Sequence, residues 1–348
     1  MNSFGVDLWG MKNMFTIPAA IRPRCTAFTG FLAKCFLAFV FGITVAAAES
    51  VGASSRTQVF CGSSPCDEPI RQIFGISTNG APELIQWKLT LYRDPKTLAP
   101  TRYELHCNYG ATAPNNPGIA SPVKTLERQG TWRITQGTEA SPDALTYDLQ
   151  GAFSVCQINS NILQILNPDR TLMIGNGGWS CTLNSAAHAE KTVDPALART
   201  VPDMSYQISP LATGPTVFGV FEGRTPAHGI ARELKISLHP AATKAKWRVT
   251  LYQDPDTQAP TTYKIEGTLF RPNAREGKWT IQRAANANVT IYELASASEP
   301  TLRLVKGDDN VLFFLDQNRA PLVGHCEFSY SLNRRTDLPA ISPAERRT

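Results

Sequence analysis

Two stretches of the chain share one alternation of apolar and polar positions. They are WKLTLYRDPKTLAPTRY, from Trp87 to Tyr103, and WRVTLYQDPDTQAPTTY, from Trp247 to Tyr263. Eleven of the seventeen positions are identical, so the two stretches are copies of one unit. Alternation with a period of two is typical of a strand that buries one face. Two prolines then end the strand in each copy, because proline fixes φ and removes a backbone donor, so each copy is predicted to be a strand, a loop and a second strand.

The repeat extends far beyond these strands. A Gly-x-Trp sequence follows in both copies, at Gly130 and at Gly277, and the fifteen residues from Asn161 correspond to the fifteen from Asn310. The copies span 58–184 and 217–333, which is the length of a domain rather than of a solenoid repeat. The chain is therefore predicted to hold two domains of one fold.

The pattern within each copy indicates the fold class. About eight short alternating runs are separated by Gly, Pro, Asn and Asp, and no stretch shows a helical period. This predicts an all-β fold. Antiparallel strands that close into a small barrel leave no exposed edge, so we expect two tandem antiparallel β-barrels, with a sandwich as the alternative.

Composition sets the expected boundaries. We expect a first barrel domain at 49–184, a linker rich in Ala, Pro and Ser at 185–215, a second barrel domain at 216–335 and a polar tail at 336–348. Residues 111–129 have no full counterpart in the second copy, and we expect them to form a long loop at the mouth of the first barrel.

The first 48 residues have the pattern of an export signal. Arg22, Arg24 and Lys34 precede an apolar run, CFLAFVFGITV, and three alanines end at Ala48. This order is typical of a signal peptide, with cleavage near Ala48. The run is shorter than the ~20 apolar residues that cross a bilayer, so no permanent transmembrane anchor is expected. The mature protein is predicted to be periplasmic or secreted.

Composition and charge narrow the class of partner. At 348 residues, with 42% apolar and 18% charged residues, the chain has the balance of a globular protein with room for two cores. Three of its five net positive charges lie in residues 1–48, so the remainder is nearly neutral. A nearly neutral body without a Lys and Arg stripe is not typical of a nucleic-acid-binding protein. We expect a monomer that binds an envelope protein or a small ligand.

Six cysteines follow the signal peptide, and export to an oxidising compartment favours disulfides among them. Five lie in the first copy and are the disulfide candidates: Cys61, Cys66, Cys107, Cys156 and Cys181. Cys61 aligns with Glu222 of the second copy and is expected to face outward. A local Cys61–Cys66 disulfide is predicted, because the loop can bring the two β-carbons to ~4 Å. The alternative is Cys61 with Cys181, on the strand that would close the barrel.

Several short motifs support a family resemblance. Phe-x-Gly-x-x-Pro occurs at Phe60 and Phe221, Gly-x-Trp follows, and Leu-x-x-Leu-Asp ends at Asp316, with Asn167 at that place in the first copy. This order resembles the N-terminal domain of the NlpE-type envelope lipoproteins. The resemblance implies a small lipocalin-like barrel and an association with copper resistance and the envelope stress response.

The chain departs from that family at two points. The family's Pro-Cys-x-x-Cys element is present only as Pro65-Cys66 in the first copy and as Pro226-Ala227-His228-Gly229 in the second. No lipid-bearing cysteine follows the signal peptide. Lipid attachment and a metal site made of two cysteines are therefore not expected.

The histidine and cysteine residues are the candidates for metal ligands. His106-Cys107 and His325-Cys326 each place an imidazole beside a thiol, as soft-metal ligands would be. Neighbouring residues of a strand point to opposite faces, so they cannot readily share one ion. We therefore expect neither a bound cofactor nor tight copper binding. The metal candidates that remain are Cys66, His106, His228, His325 and Cys326.

No catalytic residues are predicted. The chain has no serine in a nucleophile elbow and no His-x-x-x-His or Cys-x-x-Cys element, and Asp94 and Asp254 precede prolines as turn-forming residues do. We expect a non-enzymatic envelope protein that recognises its partner through loops 94–101, 111–129 and 254–261. The alternatives are a secreted enzyme inhibitor that presents the 111–129 loop, and a hydrolase whose carboxylates converge from distant loops.

Overall fold

The computed structural model describes residues 57–113, 118–192, 209–283 and 289–336. The predicted signal peptide and almost all of the predicted tail lie outside these residues. The described strands form two closed barrels in tandem, each with eight antiparallel strands. The predicted all-β fold is therefore confirmed, and the sandwich alternative is wrong.

Each barrel is an up-and-down ring in which consecutive strands pair and the last strand pairs with the first. The strands of the first barrel are β1 Thr57–Pro65, β2 Leu84–Arg93, β3 Pro100–Gly110, β4 Lys124–Gln136, β5 Leu145–Leu149, β6 Ser154–Asn159, β7 Ile162–Ile165 and β8 Thr182–Ser185. The strands of the second barrel are β9 Val217–Pro226, β10 Lys244–Gln253, β11 Pro260–Gly267, β12 Arg275–Arg283, β13 Thr290–Ala295, β14 Leu302–Lys306, β15 Val311–Leu315 and β16 Ser331–Arg334.

The interior of the first barrel is filled by side chains. The ring of Trp87 lies 5.4 Å from that of Phe74 and 5.6 Å from that of Phe153. The indole N–H of Trp87 donates to Ser64 Oγ at 2.7 Å, so its one polar atom has a partner inside the core. These residues belong to one continuous buried cluster that runs through the barrel.

The second barrel repeats this arrangement. The ring of Trp247 lies 4.8 Å from that of Phe314, and its indole N–H donates to Thr225 Oγ1 at 2.9 Å. The repeated tryptophans are thus the central residues of two equivalent cores.

The glycine of each Phe-x-Gly motif lies where its barrel closes. A Cβ on Gly62 would be 2.5 Å from the carbonyl oxygen of Thr182 in β8, and a Cβ on Gly223 would be 2.7 Å from that of Ser331 in β16. Both distances are too short for a carbon atom. Glycine therefore lets the first and last strands of each barrel approach closely.

In each barrel, one short helix follows the first strand. Neither helix was predicted. Helix α1 is Glu68–Phe74 and helix α2 is Ala227–Glu233. Helix α1 buries Ile70 and Phe74, and α2 buries Ile230, in the core of its own barrel. Seven residues make only about two turns, so a 3.6-residue period has no length in which to appear.

The Asp-Pro loops are tight turns, as predicted. Asp94 Oδ1 accepts from the backbone N–H groups of Lys96 and Thr97 at 2.9 and 2.8 Å. Asp254 Oδ1 accepts from Thr257 N at 2.8 Å in the same way. These bonds hold the pKa of both carboxyl groups below the usual value, with the backbone N–H of the Thr as the largest cause.

The expected loop at 111–129 is shorter than predicted. The connection covers 111–123, and the residues from Lys124 belong to β4 and pair with β3. Its base is fixed, because the Glu83 carboxylate accepts from the backbone N–H and the hydroxyl of Thr112 at 3.0 and 2.6 Å. The prediction was wrong here because β12, the counterpart of β4, begins only at Arg275, which aligns with Arg128, so the second copy has no strand that corresponds to residues 124–127.

The structure contains a disulfide between Cys61 and Cys326, which are 265 residues apart and belong to different barrels. Cys61 faces outward from β1, as its alignment with Glu222 predicts, whereas Cys66 and Cys181 lie in the core of the first barrel. The predicted Cys61–Cys66 disulfide is therefore wrong, and so is its Cys61–Cys181 alternative, because the barrel wall separates each pair of sulfur atoms. The cysteines Cys66, Cys107, Cys156 and Cys181 are free and buried.

The barrels also meet through two buried asparagines in equivalent positions. Asn184 Oδ1 of β8 accepts from Gly324 N at 2.9 Å, and Asn333 Oδ1 of β16 accepts from Gly175 N at 2.8 Å. The two asparagines, like the two glycines, are equivalent in the repeat. The same hydrogen bond is therefore made twice, once in each direction.

One pair of equivalent residues also meets directly at the contact between the barrels. Thr182 of β8 and Ser331 of β16 are equivalent in the repeat, and their hydroxyl oxygens are 3.2 Å apart. Contact between equivalent residues is the signature of an isologous interface, the type found in two-fold symmetric dimers. The two barrels thus meet as the subunits of a homodimer would, within one chain.

An apolar cluster drawn from both barrels completes the interface. Ile162, Leu166 and Leu172 of the first barrel pack with Val311 and Phe313 of the second, and each is at most 3% exposed. Separation of the barrels would return this surface to water, which opposes separation.

We predict that the double substitution of Cys61→Ser and Cys326→Ser lowers the free energy of unfolding by roughly 2–4 kcal/mol, because the disulfide restricts the unfolded chain. Urea denaturation of the oxidised protein measures the difference. Peptide mapping under non-reducing conditions should find Cys61 joined to Cys326 and the four buried thiols unpaired. A peptide containing linked Cys61 and Cys66 would contradict the structure.

A second prediction concerns His325 at the same interface. Burial lowers the pKa of this imidazole from 6.5 to about 4, and its Nδ1 accepts from Glu327 N at 3.1 Å. The unfolded chain takes up the proton first on acidification, so stability is full above pH 6.5 and falls by up to about 3 kcal/mol as the pH approaches 4. Urea melts across this pH range measure the loss.

The repeat supplies a matched control for this prediction. Asn176 is the equivalent residue in the first barrel, and its Oδ1 accepts from Gly178 N at 2.8 Å as His325 Nδ1 does from its own turn. His325→Asn should keep the acceptor, fold at pH 7 and lose less stability on acidification. Equal losses in the variant and the wild type would show that His325 does not cause the pH dependence.

Candidate functional site

The metal candidates are spread over the two barrels. His106 faces outward on β3, where its Nδ1 lies 3.1 Å from a Glu127 carboxylate oxygen. His228 Nε2 lies 3.1 Å from the carbonyl oxygen of Pro240, and His325 is buried at the interface. Cys326 is in the disulfide and has no thiolate to offer. Within the described ranges, no three His, Cys, Asp or Glu residues come together in a way that could hold a metal ion.

The four buried thiols are in environments that make them unreactive. Burial raises the pKa of each, to about 11 for Cys66 and Cys156, and raises those of Cys107 and Cys181 as well. A thiol with a raised pKa stays protonated near neutral pH, whereas metal ligation and nucleophilic attack need the thiolate. In this structure these cysteines act as small apolar core residues.

The acidic residues singled out by the repeat form turns and ion pairs. Asp148 accepts from Arg133 at 2.7 Å and Glu293 accepts from Arg303 at 3.0 Å, each on the outside of its barrel. These pairs join adjacent strands. Asp94 and Asp254 shape their loops, as described above. The structure does not bring these four carboxylates together.

The outer face of the first barrel carries a concavity of about 720 Å³. We call it the β2–β4 groove, because the residues that form it come from three neighbouring strands. They are Lys88 and Thr90 of β2, Glu104, Leu105 and His106 of β3, and Glu127, Arg128 and Gln129 of β4. Filled interiors leave little space inside the barrels, so this groove is a candidate for binding.

Strand register builds the floor of the groove. Lys88 pairs with His106, Thr90 pairs with Glu104, and His106 pairs in turn with Glu127. Paired residues in adjacent strands point to the same face, and here that face is the outer one. The extension of β3 and β4 beyond their counterparts in the second barrel supplies Glu127 and so adds one wall.

The charges in the groove are partly fixed by neighbours. Glu104 accepts from the Tyr92 hydroxyl at 2.8 Å and from Arg102, and these bonds lower the pKa of its carboxyl group. The Arg102 guanidinium also lies 3.7 Å from the centre of the Tyr92 ring. Lys88 is exposed and forms no ion pair with any described residue. The groove therefore presents an ordered carboxylate beside a free ammonium group.

The equivalent face of the second barrel is covered by the chain itself. Arg248 and Glu266 occupy the positions of Lys88 and His106, with side chains 11% and 6% exposed. Ser209, in the segment that leads into β9, lies on them. Its carbonyl oxygen accepts from Arg248 Nη1 at 2.6 Å, and its hydroxyl donates to the Glu266 carboxylate.

Sequence reasoning did not identify this groove. It placed recognition in the mouth loops, whereas the groove lies on the outer wall of the barrel. The repeat alignment contained one signal, because His106 stands where the second copy has Glu266. That difference alone could not reveal that one face is covered and the other open.

No helix in the described residues is long and apolar enough to cross a membrane. Comparisons of the chain with protein-family models, with curated proteins and with solved structures gave no match.

Proposed function

We propose that this chain is an exported, non-enzymatic recognition protein of the cell envelope, and that the β2–β4 groove is where it binds a partner protein. The observation that carries the proposal is the contrast between filled barrel interiors and an open, polar outer face. A barrel that carried a small ligand would need an interior cavity, whereas Trp87, Phe74 and Phe153 occupy the core of the first barrel.

Two features support export. The first 48 residues have the pattern of a signal peptide, and a disulfide joins residues far apart in sequence. Disulfides of this kind persist in oxidising compartments such as the periplasm. The periplasm or the extracellular space is therefore the proposed location.

The NlpE-like resemblance adds a class of process to this proposal. The family is associated with envelope stress signalling, and a small barrel that recognises a partner suits a role in signalling. We propose this role without a resident copper ion. The Pro-Cys element places Cys66 in the core, 0% exposed, where a metal ion would have to enter through packed side chains.

The inhibitor alternative has one observation in its favour. Glu83 holds the base of the 111–123 loop, and Val123 at its end is 48% exposed. A loop fixed at its base and apolar at one end suits contact with a protein. This loop connects β3 to β4, so its contacts would extend the same binding surface.

Site-specific photo-crosslinking in cells that export the protein tests the proposed surface. We predict that p-benzoylphenylalanine at Gln129, which lines the groove, gives a discrete crosslinked product, and that the charge reversals Lys88→Glu and Glu127→Lys abolish it. The same probe at Glu276, the equivalent position on β12, is the matched control and should give none. Equal products at both positions, or none at Gln129, would contradict the proposal.

A separate prediction concerns copper. The oxidised mature protein should not compete with a Cu(I) chelator for stoichiometric metal, because its thiols are buried and protonated or joined in the disulfide. Competition titrations with the wild type and with Cys66→Ser should coincide. Tight one-to-one binding that disappears in Cys66→Ser would restore a metal-sensing function.

A further inference from the structure

The second barrel shows what kind of ligand this type of surface holds. Ser209 is bound there by three side chains of β10 and β11. Arg248 donates to its carbonyl oxygen at 2.6 Å, Glu266 accepts from its backbone N–H at 3.4 Å, and Lys264 donates to its hydroxyl at 3.2 Å. The surface thus satisfies the N–H, the C=O and the side chain of one residue of an irregular, non-helical segment.

The β2–β4 groove is the same surface in the first copy. Lys88, Glu104 and His106 stand at the positions of the three residues that bind Ser209, on strands paired in the same register. Lys88 pairs with His106 as Arg248 pairs with Glu266. The structural equivalence therefore extends to the direction in which each side chain points.

The residues differ between the two copies, but the groove keeps the capacity to bind a peptide backbone. Lys88 retains a cationic donor for a peptide carbonyl at the position of Arg248. The carboxylate of Glu127, next to His106, can accept from a peptide N–H as Glu266 does. Glu104 replaces Lys264, so a side chain facing it should donate a hydrogen bond rather than accept one.

Exposure shows that the groove has room for such a segment. The side chains of His106 and Glu127 are 46% and 78% exposed, whereas that of Glu266 under the Ser209 segment is only 6% exposed. Edge pairing is not available to an incoming strand, because a closed barrel has no free edge. A ligand must therefore lie across the outer face, as the Ser209 segment does.

We propose that the β2–β4 groove binds an extended polypeptide segment of a partner protein, held mainly through its backbone by Lys88 and Glu127, with a hydrogen-bond-donating side chain opposite Glu104. The inference rests on the proposed recognition function and specifies its ligand. The first copy has kept the surface that the second copy uses internally, and has left it free for a segment supplied by another chain.

The test is a selection of nine-residue peptides from a displayed library against the full mature protein. Peptides should be enriched and should bind in solution by isothermal titration. Lys88→Ala should weaken binding about tenfold, the effect of losing one hydrogen bond to a charged group. Thr90→Trp, which fills the groove from its outer face, should abolish binding. Thermal melts confirm that both variants are folded.

A matched control and a gain-of-function variant sharpen the result. Lys278→Ala, on the outer face of β12, should leave binding unchanged. The triple variant Lys88→Arg, Glu104→Lys and His106→Glu copies the second barrel, and it should acquire affinity for the linker peptide SYQISPLAT. Wild-type protein should bind that peptide at least tenfold more weakly.

Three outcomes would overturn the inference. The first is that no peptide is enriched, and the second is that binding is indifferent to both Lys88→Ala and Thr90→Trp. The third is that peptides bind only to a shortened protein that lacks residues 49–56. That result would show that these residues of the chain itself occupy the groove. A crosslink at Gln129 without any peptide binding would leave the recognition function standing and point to a folded surface as the ligand.

Discussion

Two buried amides hold the architecture together. Asn184 and Asn333 lie at the contact between the barrels, where an unpaired buried polar group is costly. The side-chain oxygen of each accepts a hydrogen bond from the opposite barrel, at Gly324 and Gly175, whereas Asn333 Nδ2 has no hydrogen-bond partner among the described residues. Because the same bond is made twice about a two-fold axis, neither barrel can shift against the other without breaking both. The interface therefore fixes how the two outer faces are placed.

From this axis, one row of outward-facing residues crosses each barrel wall. In the first barrel it is Asn184, Cys61, Lys88, His106 and Glu127; in the second it is Asn333, Glu222, Arg248 and Glu266. In the second row, the Glu222 carboxylate binds Arg248 at 2.6 Å, and Ser209 covers the end. In the first row, the disulfide replaces that carboxylate, which leaves Lys88 unpaired. The two copies have thus diverged from a shared surface into one that is filled and one that is open.

The disulfide has a counterpart in the second copy. Cys326 aligns with Gly177, and an added Cβ on Gly177 would lie 3.0 Å from a carboxylate oxygen of Glu222. Cys61 and Glu222, which are equivalent in the repeat, therefore each contact a turn of the opposite barrel. Only the contact of Cys61 with Cys326 is covalent.

The repeat, the strands, the tight Asp-Pro turns and the two barrels could be predicted from the sequence, because alternation and proline act over a few residues. The short helices escaped prediction, because seven residues cannot show a helical period. The disulfide partner of Cys61 and the β2–β4 groove depended on tertiary structure. The alignment with Glu222 indicates that Cys61 faces outward, but long-range packing decides which part of the other barrel lies beside it. Cys61 and Cys326 meet only because the two-fold contact brings them together, and no local pattern encodes a contact between residues 265 positions apart.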